Sequence, residues 1–321
     1  MTSGRRAKWT ALLAVAAVSV AQASIGGTFG AFASQSGASG NVITAAPDFR
    51  GPTVSPVAIG KSSGNGLHAI LPGATYRIYA NVTDLGTPPS GTASVTANVS
   101  TITAGQNAVP LTAGAYTAGG VSFNYRSAIL TAGALGNGTY TFSVTGTDNA
   151  SNATTTNGAV AVDSVAPSPT NIAASGGTAG RLEVGDTLTL TTNDTLDSFT
   201  VLAGWDGSAT AVSVRLDNNN GGDVLEIRSG ATVLPFGTIN LGRTDFISAS
   251  GGGLATFPAS TMTQSGNAIT VVLGGTVTGT PTTAAGTGTM VWTPSATVRD
   301  RAGNAMTTAA FNEPNPLDTD F

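Results

Sequence analysis

Carboxylates are the commonest reactive side chains in this chain: 14 aspartates and three glutamates, Glu183, Glu226 and Glu313, against a single histidine, His68, and no cysteine. A Ser-His-Asp arrangement is therefore confined to one position, and no G-x-S-x-G elbow accompanies it. His68, in Asn65-Gly66-Leu67-His68-Ala69-Ile70, reads as an exposed loop histidine. Glycoside hydrolysis needs two carboxylates opposed across a cleft. The aspartates here mostly stand beside Gly, Asn or Thr, the company kept by turn and cap residues. The expectation is a protein that is not an enzyme.

Asp, Asn and backbone carbonyls do suit calcium, which takes six to eight hard oxygens. Asp217-Asn218-Asn219-Asn220-Gly221-Gly222-Asp223 is the densest run of such donors. It is not an EF-hand loop: glycine takes the fifth place and Arg228 stands where the twelfth-position glutamate belongs. Asp217, Asn219 and Asp223 are thus calcium candidates, with a wide hairpin turn as the preferred alternative. Asp148 with Asn152, and Asp300 with Asn304, share a D-x-A-x-N spacing and read first as Asx-turn residues that satisfy loop backbone. Calcium at inter-module joints, near Asp148 with Asn152 and near Asp163, is the competing expectation, so the cofactor reading is none, with calcium possible. Sugar binding would need an exposed aromatic. Trp205, in Gly204-Trp205-Asp206-Gly207, is the best candidate with Asp206 beside it, although core or edge packing is the preferred reading.

The elements that must position these groups are strands. Glycine is abundant (43 residues), 9% of residues are charged and 40% are hydrophobic, a balance that favours a folded chain over a disordered one. The formal charge of −4 argues against nucleic acid as a partner, because phosphate contact needs clustered cations. Tyr76 to Val82, Ala93 to Val99, Val121 to Tyr125, Ala211 to Leu216 and Ile269 to Leu273 alternate in period two. Asn65-Gly66, Asn137-Gly138 and Asn157-Gly158 are turn signals. No stretch after residue 34 offers a long amphipathic helix.

The first residues read as an address. Arg5, Arg6 and Lys8 precede an uncharged Ala/Leu/Val run, the form of a secretory signal, with cleavage after Ala23 or Ala33. An uncleaved membrane anchor is the rival. Removing residues 1–23 leaves ten bases against seventeen acids, a charge of −7.

Leu135 to Asp148, with Tyr140, Phe142 and Val144, resembles strand F of an immunoglobulin-like domain. The resemblance implies that Tyr140 is a corner tyrosine, its ring buried and its hydroxyl on nearby backbone, and that Phe142 and Val144 face the opposite sheet. With Val162-Asp163-Ser164-Val165-Ala166-Pro167, the whole is similar to bacterial Ig-like modules. Arg181 to Leu190 resembles the early part of SbsA-like bacterial Ig modules. Gly27 to Ser34 and Gly40 to Ala45 loosely resemble the N-terminal region of camelysin/TasA-type exported proteins, some of which form fibres.

The fold expected is all-β: two tandem immunoglobulin-like antiparallel β-sandwich modules after an N-terminal signal segment. The boundaries are 1–33 for the signal, 34–51 for a flexible arm, 52–165 for the first module and 166–321 for a second, larger one with extra strands or long loops, such as Thr244 to Ala259. The function expected is that of a secreted, non-catalytic surface protein, structural or adhesive. Its partners would be other surface proteins or cell-wall glycans, or its own copies through edge strands or residues 34–49. A carbohydrate-binding module using Trp205 is the alternative, and a fibre subunit the lesser one.

Overall fold

The computed structural model describes residues 48–62, 66–219, 221–248, 253–314 and 319–321. The signal segment, residues 34–47 of the arm and Asn65 of the first turn signal lie outside the described residues. Its regular secondary structure is nearly all strand, in two large antiparallel sheets. Among the described residues no helix is long and apolar enough to cross a membrane.

The first lobe begins with β1 (Thr53–Lys61), a short β2 (Ala69–Ile70) and β3 (Thr75–Thr83). It continues through β4 (Thr92–Asn98), β5 (Val109–Ala118), β6 (Val121–Ser127) and the short β7 (Leu130–Thr131). The long pair β8 (Gly138–Asp148) and β9 (Ala153–Val162) closes it. Hydrogen bonding runs β1-β3-β6-β5-β4-β8-β9-β2, with β2 parallel to β9 and β7 on β3. Strand β5 serves both faces of a sandwich: Val109 and Pro110 pair with β4, whereas Leu111 to Ala118 pair with β6. The alternation read from sequence places the core. Ile78, Ala80 and Val82 of β3 point inward with Val95 and Ala97 of β4, Phe142 and Val144 of β8, and Val160 and Val162 of β9.

One turn signal fails. Asn157-Gly158 lies inside β9, opposite Ser143 and Phe142. The glycine is there for packing. A Cβ at Gly158 would sit 2.4 Å from Phe142 Cζ, so the ring lies flat across the neighbouring strand only because that strand has no side chain. Tyr140 is half-buried, not fully buried, and its hydroxyl donates to the Gly136 carbonyl at 3.1 Å.

The second lobe starts with β10 (Pro169–Ser175) and β11 (Thr187–Thr192), followed by a four-residue helix α1 (Ser198–Val201). Strands β12 (Thr210–Asp217), β13 (Val224–Ser229), β14 (Thr232–Val233) and β15 (Thr238–Asn240) come next. Then come β16 (Leu254–Ser265), β17 (Ala268–Val272), β18 (Val291–Thr293) and β19 (Phe311–Asn312). The order is β10-β11-β17-β16-β12-β13-β15-β18-β19, with β14 on β13. Its core gathers Trp205, Phe246, Phe257, Trp292 and Phe321 around Leu188, Leu190, Val214 and Leu216. The segment expected as a long loop from Thr244 contributes Phe246 and Ile247 to this core and then enters β16. Lys61, at the end of β1, joins the lobes: its Nζ lies 2.8 Å from Asp197 Oδ2, on the residue that caps α1.

Candidate functional site

One polar constellation occurs twice in the fold. In the first lobe, Asp148 ends β8 and Asn152 precedes β9. The Asn152 amide donates to Asp148 Oδ1 and its side-chain Nδ2 to Asp148 Oδ2, both at 2.8 Å. The loop closes through Asp148 N to the Asn152 carbonyl at 3.0 Å, with Ser151 at φ +71°. In the second lobe, Asn304 N and Nδ2 bond Asp300 Oδ1 and Oδ2 at 2.8 and 2.7 Å. Asp300 N reaches the Asn304 carbonyl at 3.1 Å, with Gly303 at φ +110° in the place of Ser151. The D-x-A-x-N spacing is thus an Asx-bonded loop, as expected.

Each loop then holds a segment of chain arriving from before it. Asn152 Nδ2 donates to the Asp48 carbonyl at 2.9 Å, and Asn304 Nδ2 to the Asp163 carbonyl at 3.2 Å. Asp48 and Asp163 each accept from the amide two residues on, Arg50 and Val165, at 3.0 Å. Each is followed four residues later by a proline, Pro52 or Pro167. The carboxylate of the following loop completes each corner. Asp84 accepts from Gly86 N and Gly91 N at 3.0 and 2.6 Å, and Asp194 from Thr195 N at 2.6 Å. A Cβ at Gly86 would lie 2.3 Å from the Asp48 carboxylate oxygens, so any larger residue there would push that carboxylate out of the corner.

Carboxylate oxygens of Asp48, Asp84 and Asp148 therefore lie within 4.8 Å of one another, as do those of Asp163, Asp194 and Asp300. Among the described residues none of the six forms an ion pair. Like charges 4 Å apart repel by about 4 kcal/mol at an effective dielectric of 20. The inward-pointing amides offset part of that. Burial, the neighbouring Asp163 and the charge of Asp300 push the Asp194 carboxyl above its ordinary range, whereas the Arg50 and Ser90 amides hold Asp48 below it despite burial. Three carboxylates with flanking carbonyls are the donor type calcium takes.

Asp148 and Asp163 fall in different corners, one at each end of the first lobe. Residues 48–51, assigned to the flexible arm, are part of the folded lobe, with the Asp48 side chain buried as an anchor. The D-x-A-x-N pattern was legible, but Asp48, Asp84 and Asp194 were missed as its partners because they stand 64 or more residues away from the loops they join. A second D-x-x-x-P at Asp48 was the available signal.

The remaining candidates do not form sites. Asp217 opens the β12–β13 hairpin and pairs with Arg215 at 2.8 Å, whereas Asp223 is buried and accepts from Ile247 N at 3.1 Å and Asn219 N at 3.4 Å. Their carboxylates serve different partners, so Asp217, Asn219 and Asp223 are hairpin residues. Trp205 is 4% exposed, with Nε1 donating to the Ser208 carbonyl at 2.6 Å; it is core and no sugar platform. Asp206 is exposed and binds Ser208 N and Oγ, which lowers its pKa. His68 is exposed at φ +67°.

No protein-family model matches this sequence, and no curated protein matches it.

Proposed function

We propose that the chain is an exported, non-catalytic surface protein whose two lobes are immunoglobulin-like modules, a spacer or adhesive stalk held at a fixed angle by its joint. The repeated corner supports this reading. Asp163, the residue that follows β9 at the end of the first lobe, is gripped by the Asp300–Asn304 loop of the second, while Lys61 reaches Asp197 beside it. A chain that had only to fold two sandwiches would not need the end of one bonded into the loop of the other. The test is small-angle X-ray scattering of the purified protein: one extended particle of fixed length supports a spacer, and a spread of inter-lobe angles counts against it.

Calcium at the corners is a second reading, favoured by the two carboxylate triads. Asp48, Asp84 and Asp148 would hold one ion and Asp163, Asp194 and Asp300 another, and charge neutralisation would tighten each joint. Melting in calcium against chelator decides it. A rise of several degrees that is lost in Asp84→Asn and Asp194→Asn supports it, and identical melts remove it.

A further inference from the structure

One sheet face of the first lobe carries no charge. Between Asp84 and Asp148 the only charged residue is Arg126, on β6, and residues 149–162 add none. Strands β4, β8 and β9 pair side by side in that stretch, and their side chains alternate between core and solvent. The solvent-side positions of β8 are Thr139, Thr141, Ser143, Thr145 and Thr147. Across the three strands they fall into rows: Thr96–Thr145–Thr155 in one register and Asn98–Ser143–Asn157 in the next.

The asparagine row borders a hollow of about 270 Å³, lined, apart from Phe142, by its three residues with Ser100, Thr101 and Thr141. Asn98 is fixed there. Its Oδ1 accepts from Ser100 N at 3.1 Å and Ser100 Oγ at 2.8 Å, which leaves its Nδ2 hydrogens turned to other partners. Asn157 is exposed, and among the described residues neither its amide nor the Ser143 hydroxyl has an internal partner. Asparagine is depleted in strands, and neither a turn nor a cap accounts for it in the middle of β9. The row thus holds two amides with a hydroxyl between them, their backbones about 10 Å apart, which is two strand spacings.

This composition decides the class of ligand. Without cations the face does not suit phosphates or acidic sugars. Without aromatic or arginine anchors it does not suit the centre of a protein interface. Amides and hydroxyls on an uncharged sheet match a ligand of neutral hydroxyls. Pockets for drug-sized ligands run about 300–1,000 Å³, so this smaller hollow suits a single sugar ring. We propose that β4, β8 and β9 form a binding face for a neutral polysaccharide, one ring seated between Asn98 and Asn157 and the next along the threonine row. This gives the adhesive reading its ligand and rests on that reading. The second lobe supplies an internal control: Thr189–Thr270–Thr263 repeats the threonine row across β11, β17 and β16, with no asparagine in the rows beside it on those strands.

Affinity electrophoresis of the purified protein tests the face, in native gels containing a galactomannan, a mixed-linkage β-glucan or dextran, with alginate as the charged control. The expected result is retardation by at least one neutral polymer and none by alginate. Asn157→Ala and Ser143→Ala should each weaken it at least fivefold, and Thr270→Ala should leave it unchanged. All three side chains lie on the solvent side of their strands, and matching circular dichroism spectra establish that the variants fold. No retardation by any neutral polymer overturns the proposal. Retardation that both first-lobe variants retain, or that alginate equals, overturns it too, because another surface then binds. An extended, fixed particle in scattering that no neutral polymer retards keeps the stalk and loses this ligand, so the two failures are distinct.

Discussion

Replacing Asn152 or Asn304 by alanine removes the same pair of side-chain hydrogen bonds from each corner, and the two losses should match. Asn152 Nδ2 gives one bond to a carboxylate, Asp148 Oδ2 at 2.8 Å, and one to a carbonyl, Asp48 at 2.9 Å. Asn304 gives the equivalents to Asp300 at 2.7 Å and Asp163 at 3.2 Å. A bond to a charged acceptor contributes about 1.5–3 kcal/mol and a neutral one about 0.5–1.5, so each substitution should cost roughly 2–4 kcal/mol. Urea unfolding followed by circular dichroism measures the sum. Tryptophan fluorescence separates the lobes, because Trp205 and Trp292 both lie in the second core. Asn304→Ala should shift the fluorescence transition, whereas Asn152→Ala should shift mainly the dichroism. A loss below about 0.5 kcal/mol at either corner, the level of an ordinary surface substitution, would refute the reasoning.

Other substitutions probe particular contacts. Asp194→Asn should stabilise the protein at neutral pH. A carboxyl whose folded pKa is raised binds its proton more tightly in the folded state, so its unfavourable contribution grows as pH rises above 3.8 through the folded value. Melting temperatures from neutral pH downward should show the variant's advantage shrinking with acid; a constant difference contradicts the assignment. Gly158→Val drives a side chain into the Phe142 ring and should cost about 1–3 kcal/mol by chemical denaturation. Gly136→Ala, with nothing within 4 Å of the added carbon, should change stability by less than about 1 kcal/mol. Trp205→Ala should cost about 3–5 kcal/mol as a core truncation, and an unchanged urea midpoint would return the indole to the surface.

Strand positions were legible in the sequence because a period of two is enforced residue by residue. Phe142 and Val144 face inward with Thr141 and Ser143 between them. The same local reasoning failed at Asn157-Gly158, where the decisive neighbour, Phe142, lies on another strand. At Trp205 the preferred reading of a lone indole as packing agrees with its burial, and the flanking glycines are what had kept an exposed turn open. The corners were half-visible. Asp148 and Asn152 bond across four residues and leave a pattern, but the burial that makes Asp48 and Asp84 part of the same site depends on how β3, β8 and the incoming chain meet. Sandwich closure by β5, which changes partner at Leu111, has no local signature at all.

The central claim is that the Asp163–Asn304 corner fixes the lobes to one another, and the distance between spin labels placed on exposed strand positions of each lobe tests it most directly. Pulsed dipolar spectroscopy should give a single narrow distribution for the wild type and a clearly broader one for Asn304→Ala. A distribution already broad in the wild type, or one that the substitution leaves unchanged, would contradict the account.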